Sequence, residues 1–295
     1  MSATSAPDTP DTPDGTDSTG GTGGYADVAP IGPLVTRGSL AGELREAGVR
    51  EGETLLVHSS LRSLGWVCGG PVAVVRALLD VLGPEGTLVV PTQTGGLSDP
   101  AAWSAPPVPE EWWDTIRATL PAYDPLITPS RGMGAIPEAV RTWPGALRSA
   151  HPQTSFAALG PRAAEITEGH ATDCRLGERS PLARLERLGA RVLLLGVGYD
   201  ACTSFHLAEY RVPCPRALVG RPAPGGWEVV TELAITSERF DELGHDFERD
   251  RPVVRATAGA ADLRLFPVAA AVAYAEKWLA VHRPREEELM VEGTE

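Results

Sequence analysis

The 295-residue sequence is short of several things, and each shortage excludes something. Its four cysteines, Cys68, Cys174, Cys202 and Cys214, form no CxxC pair. That argues against a disulfide framework or a structural zinc site and leaves them as small, mostly buried thiols. No run approaches the roughly 18 consecutive apolar residues of a membrane-spanning helix. The N-terminus, MSATSAPDTPDTPDGTDSTGGTGG, lacks the basic and apolar regions of a secretory signal. A soluble, cytoplasmic protein with no membrane contact is expected. Positive charge is scarce too: the net charge is −13, and Lys277 is the only lysine. Asp8, Asp11, Asp14, Asp17 and Asp27 all precede the first base, Arg37. Such a balance argues against nucleic acid and permits a cationic partner. No GxSxG elbow supplies a hydrolase nucleophile, and LGVGYD lacks the third glycine of a dinucleotide fingerprint. No HxH or HExxH spacing supports a metal, so none is expected.

What is present is a soluble α/β pattern. Residues 1–29 are rich in Thr, Asp, Pro, Gly and Ser, and cannot bury enough apolar surface to offset their ordering entropy. They are expected to be a disordered tail, followed by one α/β domain over 30–285 and a C-terminal tail over 286–295. Helical patterns, with Ser39 and Ser180 as expected caps, alternate with the short apolar strands ETLLVHSS, GTLVVPT and ARVLLLGVG. This alternation predicts a mixed, partly parallel sheet flanked by helices. Shorter alternating pieces between about 217 and 265 suggest a small β-containing insertion. The long Pro- and Trp-rich segment from Gln93 to Arg131 is too irregular to be an idle connection.

Ligands of open α/β sheets bind beyond the carboxyl ends of the strands, and two such ends here are polar. One is VHSS, with His58, Ser59 and Ser60. The other is GVGYDACTSFH, which leads to His206 and Glu209 on one helical face if Thr203 caps the helix. The helix start disfavours imidazolium and the carboxylate favours it, a balance that suits a general base. The same spacing also fits a structural ion pair, and spacing leaves both readings open. A third polar cluster, RSAHPQTS, holds Arg148, His151 and Ser155 in a loop, with His151 extended before a proline.

Taken together the motifs are specific. LLVHSSLRSLGWVCGGPVAVVRALLDVLGPEGTLVVPTQTG, DPLITPSRGMGAIPEAVRTWPGALRSAHPQTSFAALG, LGERSPLARLERLGARVLLLGVG and YDACTSFHLAEYR occur in that order. From about Thr36 to Arg211 the chain resembles the aminoglycoside 3-N-acetyltransferase family. That resemblance implies a non-GNAT α/β fold and acetyl-CoA as cosubstrate, with no metal. The implied reaction acetylates the 3-amino group of the 2-deoxystreptamine ring in aminoglycoside antibiotics, for resistance or producer self-protection. It places His58, Ser59, Ser60, Leu61 and Ser63 at acetyl-CoA, with Arg148, His151 and Ser155 in the same cleft. His206 becomes the expected base, Glu209 its partner, and Thr203 faces the thioester. A polycationic antibiotic needs carboxylates and aromatic faces, for which Asp99, Glu110, Trp112, Asp124 and Asp200 are the candidates. Two other readings stand beside this one: an N-acyltransferase of another amine in a biosynthetic pathway, and a non-catalytic CoA- or drug-binding protein. A monomer or homodimer is expected.

Overall fold

The parallel strands explain themselves from their side chains. β2 (Thr54–Ser59), β4 (Thr87–Pro91) and β7 (Arg191–Leu195) are short, almost wholly apolar and buried on both faces. Such strands belong in the centre of a sheet covered by helices on each side. In the computed structural model, which describes residues 32–104 and 106–283, they are that centre. The expected tails over 1–29 and 286–295 lie outside the described residues.

The remaining strands are β1 (Leu34–Val35), β3 (Trp66–Val67), β5 (Leu147–Arg148), β6 (Phe156–Leu159), β8 (Arg216–Ala223), β9 (Gly226–Leu233), β10 (Val254–Ala258) and β11 (Ala261–Pro267). The helices are α1 (Arg37–Glu46), α2 (Gly70–Leu82), α3 (Trp113–Thr119), α4 (Ala135–Arg141), α5 (Ala163–Thr167), α6 (Pro181–Arg187), α7 (Ser204–Glu209), α8 (Phe240–Asp250) and α9 (Val268–His282). Seven strands form the main sheet in the order β10-β11-β7-β2-β4-β6-β5. The β7-β2-β4 pairings are parallel, and the flanking strands are antiparallel. This is the expected mixed α/β sheet.

Alternation sorts the side chains between two cores. Leu55, Val57, Leu88, Val90, Leu193 and Leu195 pack with α1, α2 and α4. Leu56, Val89, Val192 and Leu194 pack with α6 to α9. By the same period of two, His58 shares a face with Leu56 and points to the side where α7 lies.

Two boundaries differ from those read in the sequence. Thr36, not Ser39, is the N-cap of α1; Ser39 sits one turn on and closes a reciprocal capping box with it. Ser180 does cap α6, accepting from Leu182 N–H. Of the stretch 217–265, only β8 and β9 form a separate two-stranded hairpin. β11 instead pairs with β7, Leu263 opposite Leu195, and carries β10 into the main sheet. No helix among the described residues is long and apolar enough to cross a membrane.

Candidate active site

β2 has parallel neighbours on both sides, so the crevice beyond its carboxyl end lies where the chain turns away in opposite directions, the usual place for a ligand in such a sheet. A cavity of about 260 Å³ opens there. His58 and Ser59 reach it from the end of β2, Pro91 and Gln93 from the end of β4, and Val197, Asp200, Ala201, Thr203 and His206 from the segment after β7. Gly132, Met133, Pro137 and Ser237 complete the wall. The turn after β7 depends on Gly196, at φ 71°. A Cβ there would lie 2.5 Å from that of Ser63, so these two turns close on each other only with glycine.

α7 carries His206 and Glu209. Glu209 is fully buried, and its carboxylate is held from three directions. Oε2 takes a hydrogen bond from His206 Nδ1, Oε1 takes the Arg283 guanidinium, and Thr236 N–H donates to Oε1 at 3.1 Å. An ionised carboxylate only accepts, so the Nδ1 of His206 is the donor in this pair, and in the neutral ring the lone pair lies on Nε2. The ring packs on Phe240 at 4.7 Å between centroids.

His58 is a different kind of histidine. Burial pushes its imidazole down to about 3, and the neighbouring His206 adds to the effect, so it is neutral at physiological pH. Its Nε2 lies 3.3 Å from Thr203 Oγ1. Thr203 stands at the N-cap position of α7, but its hydroxyl makes no cap hydrogen bond. It is spent on His58 instead, because its backbone is already helical rather than extended. Cys202 next to it is fully buried, and burial pushes its thiol up to about 12, far from a thiolate nucleophile.

The other residues singled out in the sequence divide. Ser60 receives Ser63 N–H at 3.3 Å and the Ser63 hydroxyl at 2.8 Å, which shapes the turn after Leu61. Ser63 lines a neighbouring hollow with Gly196, Val197, Gly198, Asp262 and Arg264, and Val197 borders both spaces. Arg148, His151 and Ser155 do not line the cavity. Arg148 Nε bonds Thr92 and Ser155 hydroxyls at 3.1 Å, tying β5 to the strand beside it. His151 is buried toward the β8–β9 hairpin. Its Nδ1 accepts from Gln153 and Thr154 N–H at 3.1 and 3.2 Å, and its Nε2 is 3.9 Å from Glu232. Of the acceptor candidates, only Asp200 lines the cavity. Asp99 pairs with Arg117 at 2.7 Å, Asp124 accepts Leu126 N–H at 2.8 Å, and Glu110 and Trp112 sit exposed on a surface turn. Gln93, Met133 and Ser237 were not singled out from the sequence: the first two sit inside the quoted motifs as single residues of no distinctive chemistry, and Ser237 lies beyond the last motif.

The described residues contain no group of three or more His, Cys, Asp or Glu able to hold a metal. A family model for aminoglycoside 3-N-acetyltransferase matches residues 56–280. The chain belongs to the aminoglycoside 3-N-acetyltransferase family. The SPbeta prophage-derived aminoglycoside N(3')-acetyltransferase-like protein YokD of Bacillus subtilis is 46% identical over 250 residues, covering 82% of this chain and 92% of that one. Its crystal structure matches with a TM-score of 0.83 over 85% of this chain and 95% of its own, at 44% identity. Aminoglycoside N(3)-acetyltransferase VII of Streptomyces paromomycinus is 37% identical over 266 residues, 83% of this chain and 91% of its own. Family member AAC-IIIb, solved as a binary complex with CoASH, gives a TM-score of 0.73 at 31% identity, covering 86% of this chain and all of that one.

Proposed function

We propose that this chain transfers the acetyl group of acetyl-CoA to the 3-amino group of the 2-deoxystreptamine ring of aminoglycosides, directly within a ternary complex. The observation that carries the reading is the His206–Glu209 pair, buried at the base and open at the cavity it shares with His58 and Thr203. A protein that only binds a ligand has no use for a cavity-wall histidine held on a fully buried carboxylate.

The chemistry follows from these groups. The acceptor is mostly ammonium in water; it gives that first proton to solvent, and the neutral amine is the species that attacks. Its nitrogen then bonds the thioester carbonyl carbon, and His206 Nε2 takes the proton that the nitrogen sheds, with Glu209 steadying the imidazolium. The carbon–sulfur bond breaks, and the departing thiolate recovers that proton as CoA thiol. Where neutral His58 donates its Nε2–H to Thr203 Oγ1, the hydroxyl proton is free to meet the thioester oxygen as it gains charge. No enzyme nucleophile is required, in keeping with the inert Cys202 thiol. Ser59 in the cavity and Ser63 in the adjoining hollow suit the pantetheine arm of acetyl-CoA.

A second reading keeps the reaction and changes the acceptor to another amine. It is favoured by Asp200 being the only one of the five acceptor candidates on the cavity wall. Thiol release from acetyl-CoA with kanamycin, gentamicin and a simple primary amine separates the readings. Acceleration by an aminoglycoside supports the first, acceleration by the simple amine alone supports the second, and none with any amine overturns both.

A further inference from the structure

Arg283 lies at the far end of α9 in sequence, outside every motif that marks the site, yet its guanidinium meets the carboxylate that holds His206. We propose that Arg283 is a positioning residue that keeps His206 neutral and ready to accept a proton, by sharing the charge of Glu209. The proposal rests on His206 being the base.

Glu209 has no exposed surface, and a buried carboxylate without a cation is costly. Arg283 meets Oε1 and is itself mostly buried, with Nη1 3.1 Å from Cys214 Sγ. The imidazole meets Oε2, so one carboxylate serves both the guanidinium and the imidazole. If Glu209 had His206 alone, the buried anion would hold a proton on the ring, and a ring already protonated accepts nothing. With Arg283 in place the anion is already balanced, and the positive guanidinium opposes a second charge on the imidazole. Both effects act in the same direction.

Other charged or titratable groups around the ring do not replace it. His58, from β2, is neutral. Asp200, on the turn before α7, shares the cavity but is exposed, and its backbone N–H is bound to Asp241 of α8. Arg239, at the start of α8, is engaged by Glu242. Access to Arg283 is separate from the substrate cavity. It lines a second hollow of about 240 Å³ with Phe240, Trp278 and Leu279, which shares no lining residue with the substrate cavity.

The test uses the full chain with Arg283→Gln, Arg283→Lys and Arg283→Ala. Three quantities are read: the ring titration of His206 by NMR, the pH profile of kcat/KM, and the KM for acetyl-CoA. In Arg283→Gln the His206 titration and the acid limb of the profile both move up by about one pH unit, as loss of a close charge predicts. Turnover at neutral pH falls several-fold and recovers at higher pH, while the KM for acetyl-CoA holds. Arg283→Lys keeps the charge and restores the wild-type profile. Millimolar guanidinium, admitted through the second hollow, restores Arg283→Ala. A His206 titration that stays put or moves down in Arg283→Gln overturns the proposal, as does an activity loss equal at every pH. If the glutamine variant does not fold, the lysine variant decides: a titration at the wild-type position supports the proposal, and a displaced one overturns it. A titration that moves without the kinetic limb leaves the coupling standing and removes His206 as the base.

Discussion

Replacing His206 by alanine is expected to cut turnover by about 10²–10⁴-fold while leaving acetyl-CoA affinity within about twofold, the signature of a lost general base. That factor corresponds to about 3–5 kcal/mol of transition-state stabilisation. The fold should survive, and the structure says why. Glu209 loses one of its three donors but retains Thr236 N–H and the Arg283 guanidinium, so the buried carboxylate is not orphaned. Losing one hydrogen bond to a charged group costs about 1.5–3 kcal/mol. For a domain of this size, at about 2 °C per kcal/mol, that lowers the melting temperature by about 3–6 °C. Thiol release measured with a chromogenic disulfide gives turnover, calorimetry gives acetyl-CoA affinity, and thermal unfolding gives the stability cost. Turnover within about tenfold of wild type in a folded variant that still binds acetyl-CoA would refute the assignment of the proton to His206.

The other tests follow from single side chains. Cys202→Ala should leave turnover within about twofold, because a buried thiol pushed up to about 12 takes no part in the transfer; loss of turnover in a stable variant would reopen a covalent route. Asp200→Asn should raise the KM for a cationic acceptor about 3–10-fold and leave that for acetyl-CoA alone, as losing one charge partner predicts; equal effects on both would remove Asp200 from the acceptor side. Gly244→Ala would put a Cβ 1.9 Å from Tyr199 Cγ, in the turn that leads to Thr203. It should destabilise the fold by about 1–3 kcal/mol as an overpacked core site, and an unchanged melting temperature would count against that packing. His58 and His170 are both held down to about 3 by burial, against an ordinary value of 6.5. Below that ordinary value the unfolded chain takes up protons that the folded chain refuses, so stability must fall as pH drops. The two rings together contribute up to about 2.7 kcal/mol per pH unit in that window. Urea unfolding between about pH 5 and 7 should show the slope, and His170→Gln should roughly halve it; a flat profile would refute two buried neutral rings.

Much of this was legible from the sequence, and the reason is local. Strands such as TLLVHS and RVLLL have apolar cores because both faces are covered, and β2 turns polar at His58 and Ser59, where the sheet ends and the cavity begins. α2 opens with Pro71 at its start and stops at Gly83, both readable without any neighbour. β11 was not readable in the same way. Its alternating pattern is that of any half-buried strand, and nothing in ADLRLFP says that its partner is β7, some 70 residues earlier in the chain, rather than the adjacent hairpin. The cluster RSAHPQTS shows a related limit. Polar residues in a loop suggest a ligand, but here they fasten β5 and the hairpin side of the molecule through Arg148–Thr92 and His151–Thr154 bonds. Arg283 carried no signal at all, since a lone arginine ending a helix is most often a solvated side chain.

The three histidines weighed from the sequence look alike on paper and differ only in what surrounds them, and that difference assigns their work. His151 has its Nδ1 committed to two backbone N–H groups and no face on the cavity, so it organises a loop. His58 does face the cavity, but burial without a carboxylate keeps it neutral far below physiological pH, so it can orient the Thr203 hydroxyl and cannot hold a proton for the acceptor. His206 alone combines a cavity face with a carboxylate partner, and that carboxylate is divided with Arg283. A proton acceptor must be neutral before the transfer and stabilised when charged during it, which are opposing demands on one ring. On the proposed mechanism a shared Glu209 meets both: it orients the ring and steadies the imidazolium that forms, while the guanidinium on its other oxygen opposes protonation of the ring before the acceptor arrives. Separating those demands across two oxygens of one buried carboxylate is what the end of α9 contributes to a site otherwise built from β2 and α7.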